Sequence, residues 1–414
     1  MRALAEKARE ASRKLAGVQP GVKNAALLAM ADQLTGRATE MIEANALDLT
    51  AAQQRGLSPA MIDRLRLDEK RIQAMAHGIK EVAALPDPVG AVYDMATRPN
   101  GLKIGRMRVP IGVVAIIYES RPNVTADAGS LCLKSGNACI LRGGSEAVHC
   151  NRIIAKILDE AAQSAGLPPA CIQLVPTQDR QAIVDLLHLD DLIDLVIPRG
   201  GKSLIETVVR ESRIQVIKHY DGICHVYVDE AADPQKALNI LVNSKAQRTG
   251  VCNAAESLIV HRSIAASFLP QAGDVLRKVG VEMRASQEAA PFLGQDLVIS
   301  ANDEDFRTEF LDLKIAVGVV GSLDEAIDWI NNHGSHHTDT IVTENHTSAM
   351  RFIHEVDSAC CHINCSTRFS DGGEYGLGCE IGISTDKLHA RGPMGLTELT
   401  SSKWVVFGDG QVRG

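Results

Sequence analysis

IGVVAIIYES (residues 111–120) and ACILRGG (138–144) are the stretches whose reading decides the fold. The first is a run of branched and small apolar residues with no polar alternation. A strand with that pattern is buried on both faces, as in a parallel sheet covered by helices on either side. The second run repeats the pattern, and a helix is predicted over 146–164 immediately after it. CIQLVP (171–176) reads as a third strand. DLIDLVIPRGG (191–201) contains a fourth, which leads into a helix over 202–210. QVIKH (215–219) and CHVYVDE (224–230) follow as short strands. Strand alternating with helix predicts an α/β fold with a doubly wound sheet.

Outward from this core, residues 1 to about 92 read as helices. Leu27, Met30, Ala31 and Leu34 form one apolar stripe, and Met61, Leu65, Ile72, Met75 and Ile79 form another. ALPDPVG (84–90) punctuates the chain, and KIGRMRVP (103–110) mixes apolar with basic positions in the manner of an exposed or edge strand. A second α/β unit is expected from about residue 234. It comprises a helix over 234–247, a strand at SLIVH (257–261), a helix over 263–278 and a strand at LKIAVGVV (313–320). A helix over 323–332, a strand at DTIVT (339–343) and a helix over 345–356 complete it. The tail from about 383 ends in KWVVFG (403–408), an apolar strand that needs a neighbour, either in the first unit or in another subunit.

With 414 residues the chain exceeds what one core sustains, so two or three domains are expected. The net charge of −8 and the lack of basic runs interleaved with aromatics argue against a nucleic-acid partner. Aromatics are only 3%, which leaves Leu, Ile, Val, Ala and Met to build the core. The ten cysteines in so long a chain do not read as a disulfide framework. MRALAEKAREASRKLAG (1–17) is amphipathic, but Glu6 and Glu10 argue against a transit peptide. No apolar run is long enough to span a bilayer, so a reducing cytoplasmic setting and no membrane partner are expected.

One cysteine stands apart. Cys252 lies in QRTGVCNAAES (247–257), where only Val251 beside it is branched. Thr249 and Gly250 allow a tight turn, and NAAES is read as a helix start that would lower the barrier to thiolate formation. Two turns are candidate phosphate holders. Arg199, Gly200, Gly201 and Ser203 pass from a strand into a helix, which suits either an ordinary turn or close backbone approach to an anion. The Walker pattern fails because Val196 stands where it needs glycine. Arg142 leaves a strand before Gly143 and Gly144, where a guanidinium can grip a phosphate or simply meet solvent. CCHINC (360–365) has zinc-type residues, but at strand spacing they face opposite sides and cannot close a tetrahedron. GSHHTD (334–339) reads as a polar loop, and no metal site is expected.

Six stretches together resemble the aldehyde dehydrogenase superfamily, and within it the gamma-glutamyl phosphate reductase branch. They are RMRVPIGVVAIIYESRPNVTADAGSLCLKSGNACILRGGSE (106–146), IPRGGKSLI (197–205), CHVYVDEAAD (224–233), KAQRTGVCNAAE (245–256), STRFSDGGEYGLGCEIGISTDKLHARGPMGL (366–396) and the closing strand. The resemblance implies a Rossmann-type NADP-binding domain over 1–233, to which about 383–402 return. It implies an α/β catalytic domain over 234–382 and oligomerisation strands at 95–110 and 403–414. Cys252 is then the nucleophile, and Asn123 joins its backbone N–H in holding an oxyanion. Glu309 is the implied partner of the nicotinamide ribose, Gly200, Gly201 and Ser203 of the pyrophosphate, and Arg142 of the adenosine side. Ser366, Thr367 and Arg368 are expected to hold the substrate.

One departure from the superfamily informs the reaction. Hydrolytic members carry a glutamate base in an ELGG stretch, and this chain has KHYDG at 218–222. Without that base, water attack on a thioester is disfavoured and exchange with phosphate is favoured. The implied reaction is NADPH-dependent reduction of L-glutamyl 5-phosphate to L-glutamate 5-semialdehyde and phosphate, on the route to proline. A homo-oligomer, and association with glutamate 5-kinase, are the partners the resemblance suggests. An oxidising aldehyde dehydrogenase and a non-catalytic α/β scaffold are the competing readings; the absent base opposes the first, and the joint presence of Cys252, Asn123 and Glu309 opposes the second.

Overall fold

The structure is a computed structural model that describes residues 1–119 and 121–413. Ser120 and Gly414, which end two of the stretches read above, lie outside the described residues. The chain forms two compact units. One comprises Met1–Lys218, Gly376–Gly382 and Met394–Gly414, and the other His219–Tyr375 and Ile383–Pro393.

In the first unit a four-stranded parallel sheet runs in the order Ile172–Leu174, Ala138–Arg142, Val113–Tyr118, Leu195–Arg199. Every side chain of Val113–Tyr118 is at most 1% exposed, as the unbroken apolar run requires. Burying each such branched side chain contributes about 1.5–3 kcal/mol. The N-terminal helices include Pro20–Gly36 and Glu69–Ala84, whose stripes at Leu27, Met30, Leu34, Ile72 and Ile79 are buried. A separate three-stranded antiparallel sheet pairs Lys103–Pro110 with Val92–Thr97 on one side and with the C-terminal strand Thr400–Phe407 on the other. The C-terminal strand therefore finds its neighbour in its own chain, in register from Thr400 opposite Pro110 to Phe407 opposite Lys103.

The second unit holds a seven-stranded sheet, parallel throughout. Its order is Ile299–Ser300, Glu282–Ala285, Lys314–Val320, Ala255–His261, Cys224–Val228, Thr338–Val342, Cys360–Ile363. Cys224–Val228, read from the sequence as part of the first sheet, is central to this one. It pairs with Ala255–His261 through the crossover helix Pro234–Ala246. That helix starts cleanly: Asp233 accepts from the Lys236 N–H at 2.9 Å and Pro234 sits at the first turn. The expected boundary at 233/234 would cut this βαβ unit, whereas the compact units part between Lys218 and His219. QVIKH forms only an isolated bridge between Val216 and Val196. In the tail, Ile383–Pro393 packs in the second unit and the segments flanking it in the first.

Candidate active site

Cys252 lies in the turn between the helix Pro234–Ala246 and the strand Ala255–His261. No helix begins at NAAES. Glu256, Ser257 and Leu258 are buried on both faces of the sheet, and tertiary pairing overrides the local preference. Cys252 therefore has no helix N-terminus to favour its thiolate. It does have access: its side chain is half-buried, while burial pushes the Cys150, Cys171, Cys361 and Cys379 thiols up to about 12 and holds Cys224 well above the ordinary range.

Three features fix this turn. First, Gly222 abuts it, so that an added Cβ would overlap the Cys252 carbonyl and Cα. The buried Cys224 thiol also donates to the Cys252 carbonyl, at 3.2 Å. Second, the stretch around Arg368 is stapled to both flanks of Cys252. The Arg368 Nε donates to Gln247 Oε1 at 2.9 Å, and its terminal nitrogen donates to Asn253 Oδ1. Thr367 Oγ1 donates to the Asn253 carbonyl at 2.7 Å, and Ser366 Oγ meets Ser244 Oγ at 3.0 Å. Third, Ile223 N–H donates to Ser335 Oγ at 2.8 Å, which draws the KHYDG and GSHHTD segments together.

The result was not legible in the sequence. His219, Cys252 and His337 each present a nitrogen or sulfur within 4.8 Å of the others, and they form the one group of three possible metal-ligating side chains found among the described residues. His337 is fully buried, not part of a polar loop, and leads directly into the strand Thr338–Val342. Its ring meets that of His219 edge to face, centroids 5.4 Å apart. CCHINC behaves as the spacing predicts: Cys360–Ile363 is the edge strand of the sheet, and His362 Nε2 lies 2.8 Å from the Tyr375 hydroxyl.

Electrostatics tie Arg368 to Cys252 and Glu309 to its neighbour Cys224. Burial lowers the Arg368 pKa, while Cys252 and Cys224 oppose that shift, so the guanidinium lies within their field. Glu309 is half-buried, and its charge helps raise both Cys224 and Glu256. Ser366 and Thr367 are 4% and 0% exposed, with their hydroxyls given to Ser244 and Asn253. They build the loop, and of the three expected substrate holders only Arg368 retains an accessible surface.

In the first unit Asn123 opens the helix Asn123–Lys134, and its Nδ2 donates to Asp127 Oδ2 at 2.8 Å. Burial raises Asp127 to about 6 in spite of that hydrogen bond and of Arg199. Arg142 is 8% exposed and donates to the Gly143 carbonyl at 2.8 Å and the Gln178 carbonyl at 3.1 Å. Its fork is turned into the backbone, which shapes the turn and leaves less of it for a phosphate than the sequence suggested. Gly200 is under steric demand: a Cβ there would meet Glu119 Cδ and Leu204 Cδ2 at 2.7 Å. Gly201 caps the helix Lys202–Glu211, and its N–H donates to Glu119 Oε2 at 3.0 Å. Ser203, on the first turn of that helix, is exposed.

The aldehyde dehydrogenase family model matches residues 1–295. Gamma-glutamyl phosphate reductase from Sulfurihydrogenibium sp. (strain YO3AOP1) is 54% identical over 99% of this chain and 93% of its own length. The Halothermothrix orenii protein of the same name is 52% identical over 99% of this chain and 97% of its own. The crystal structure of gamma-glutamyl phosphate reductase from Thermotoga maritima superposes with a TM-score of 0.97 at 44% identity, covering 100% of this chain and 99% of that one. This chain belongs to the gamma-glutamyl phosphate reductase family. As members of the aldehyde dehydrogenase superfamily, gamma-glutamyl phosphate reductases share its fold with more distant proteins. An acetylating aldehyde dehydrogenase from Geobacillus thermoglucosidasius superposes with a TM-score of 0.70 at 18% identity, covering 100% of this chain and 97% of that one. In the sequence of this gamma-glutamyl phosphate reductase family member, His219 and His337 are separated from Cys252 by too many residues for spacing to reveal them.

Proposed function

We propose that the chain reduces L-glutamyl 5-phosphate to L-glutamate 5-semialdehyde and phosphate with NADPH, through a thioester on Cys252, in proline biosynthesis from glutamate. The observation that carries this reading is full-length identity of 52–54% to proteins of that name, joined to an accessible thiol in a braced turn. A carboxylate resists hydride, whereas an acyl phosphate has a good leaving group. Attack by the Cys252 thiolate expels phosphate and leaves an electrophilic thioester. The Cys252 backbone N–H and Asn123 are the proposed donors to the oxyanion. Arg368, held by Gln247 and Asn253, is the proposed partner for the substrate's anionic groups.

The cofactor reading rests on the Arg199–Ser203 turn. Glycine at 200 keeps the backbone close, and the helix N-terminus beyond it already takes a carboxylate oxygen from Glu119, so the turn suits an anion. Gly200, Gly201 and Ser203 would hold the pyrophosphate, Glu309 the nicotinamide ribose, and Arg142 the shape of the adenosine-side turn. NADPH bound there supplies the hydride. In this reading the unit built on Met1–Lys218 carries the cofactor and the unit built on His219–Tyr375 carries the thiol chemistry. The strands at 95–110 and 403–414 build a homo-oligomer, in which exposed Trp404, Val406 and Phe407 on an edge strand would be covered. No helix among the described residues is long and apolar enough to cross a membrane, and a cytoplasmic setting fits the reaction.

The experiment is NADP⁺ reduction by purified protein with glutamate 5-semialdehyde, with and without phosphate. Phosphate-dependent turnover is expected. Turnover without phosphate would instead support an aldehyde oxidase.

A further inference from the structure

We propose that His219 is the proton carrier for Cys252, an inference that rests on the thioester reading above. The turn before a strand gives the thiol no helix dipole, so the group that ionises it must be a neighbouring side chain. Two imidazoles stand within 4.8 Å of the sulfur, and the structure distinguishes them. His337 is fully buried, with Nδ1 at 2.9 Å from Thr338 Oγ1 and 3.8 Å from Cys224 Sγ. A proton placed there has no route to water. His219 is half-buried, and its Nδ1 lies 2.9 Å from the Ile383 carbonyl oxygen. A carbonyl only accepts, so Nδ1 carries the hydrogen and the lone pair of the neutral ring resides on Nε2. The hydrogen bond thus sets the tautomer and leaves Nε2 as the nitrogen able to take the thiol proton. The edge-on His337 ring restrains the His219 plane. Arg368 lies in the field of Cys252 and Cys224, with Asp371 and Arg248 beside it, and Asp339, Glu256 and Glu309 act on Cys224 next to the pair.

The proton balance follows. Proton transfer from Sγ to Nε2 gives thiolate and imidazolium. The thiolate forms the C–S bond as the C–O bond to phosphate breaks, and the imidazolium gives its proton to the departing phosphate oxygen. Hydride, with its electron pair, then reduces the thioester carbonyl. The resulting alkoxide expels the thiolate and frees the aldehyde. Neutral His219 takes one proton from water, so each cycle consumes one NADPH and one proton.

The test uses the full chain and the His219→Asn variant, whose amide retains a donor toward the Ile383 carbonyl but cannot carry the proton. Iodoacetamide labelling of Cys252, read by mass spectrometry across pH, reports the thiolate without substrate. The midpoint in His219→Asn is expected to rise by about one pH unit or more, with labelling near pH 6 reduced about tenfold. His337→Asn is expected to move it less. A midpoint unchanged in both His219→Asn and His219→Gln, in protein with native circular dichroism, overturns the proposal; if the first variant does not fold, the second carries the measurement. If the midpoint shifts but wild-type protein shows no phosphate-dependent turnover, the pair stands and the substrate reading falls.

Discussion

Gly222 and Cys252 are in backbone contact so close that glycine is the one residue that fits: any side chain at 222 would overlap the Cys252 carbonyl. The contact sets the height of the thiol above the sheet, because Gly222 lies two residues before the interior strand Cys224–Val228. Gly222→Ala must push the 252 turn outward. Destabilisation of about 1–3 kcal/mol is expected, as for other overpacked sites. Turnover should fall, and because Arg368 is bonded to Gln247 and Asn253 on either side of the turn, KM should rise with it. Urea unfolding and steady-state kinetics on the same preparation check both.

Cys252→Ala should lose reduction almost completely and still bind NADPH, because no proposed cofactor contact involves the sulfur. Retained wild-type turnover would sink the thioester reading. Incubation of the native protein with an acyl phosphate, followed by peptide mass spectrometry, should place the adduct on Cys252 and on none of the nine other thiols.

Arg368→Ala is expected to raise KM for the acyl phosphate. It also frees Gln247 and Asn253, so a loss in kcat should accompany it. Arg368→Lys keeps the charge but not the two-pronged grip, and should recover binding better than turnover. An unchanged KM in Arg368→Ala removes this residue from substrate binding.

Asn123 and Asp127 predict a pH dependence. The half-buried Asp127 carboxyl is raised to about 6, so the native state holds a proton that the unfolded chain has already released. Stability from this group is therefore greatest at low pH and declines as pH rises from about 4 to about 6. Above that window Asp127 is an acceptor that fixes the Asn123 amide. Turnover should drop as pH falls through about 6, and Asp127→Asn should remove that step and flatten the stability change. Asn123→Ala should lower turnover by about 10²–10³-fold at all pH values. A wild-type stability curve flat across the window, measured by denaturant unfolding, would contradict the Asp127 assignment.

Local patterning alone specified the long buried strands of both sheets, because burial on two faces writes itself as unbroken runs such as VVAIIY and SLIVH, but not the short strands Glu282–Ala285 and Ile299–Ser300. The resemblance then supplied the family and the chemistry. Tertiary structure decided the rest. It put Cys224–Val228 in the second sheet, replaced the expected helix after Cys252 with a strand, and drew Ser366 and Thr367 inward. It also brought His219 and His337 to a sulfur dozens of residues from each. The physical reason is that strand order and side-chain neighbours across a sheet depend on pairing between distant segments. Hydropathy and spacing record only what each segment needs, not which partner meets that need.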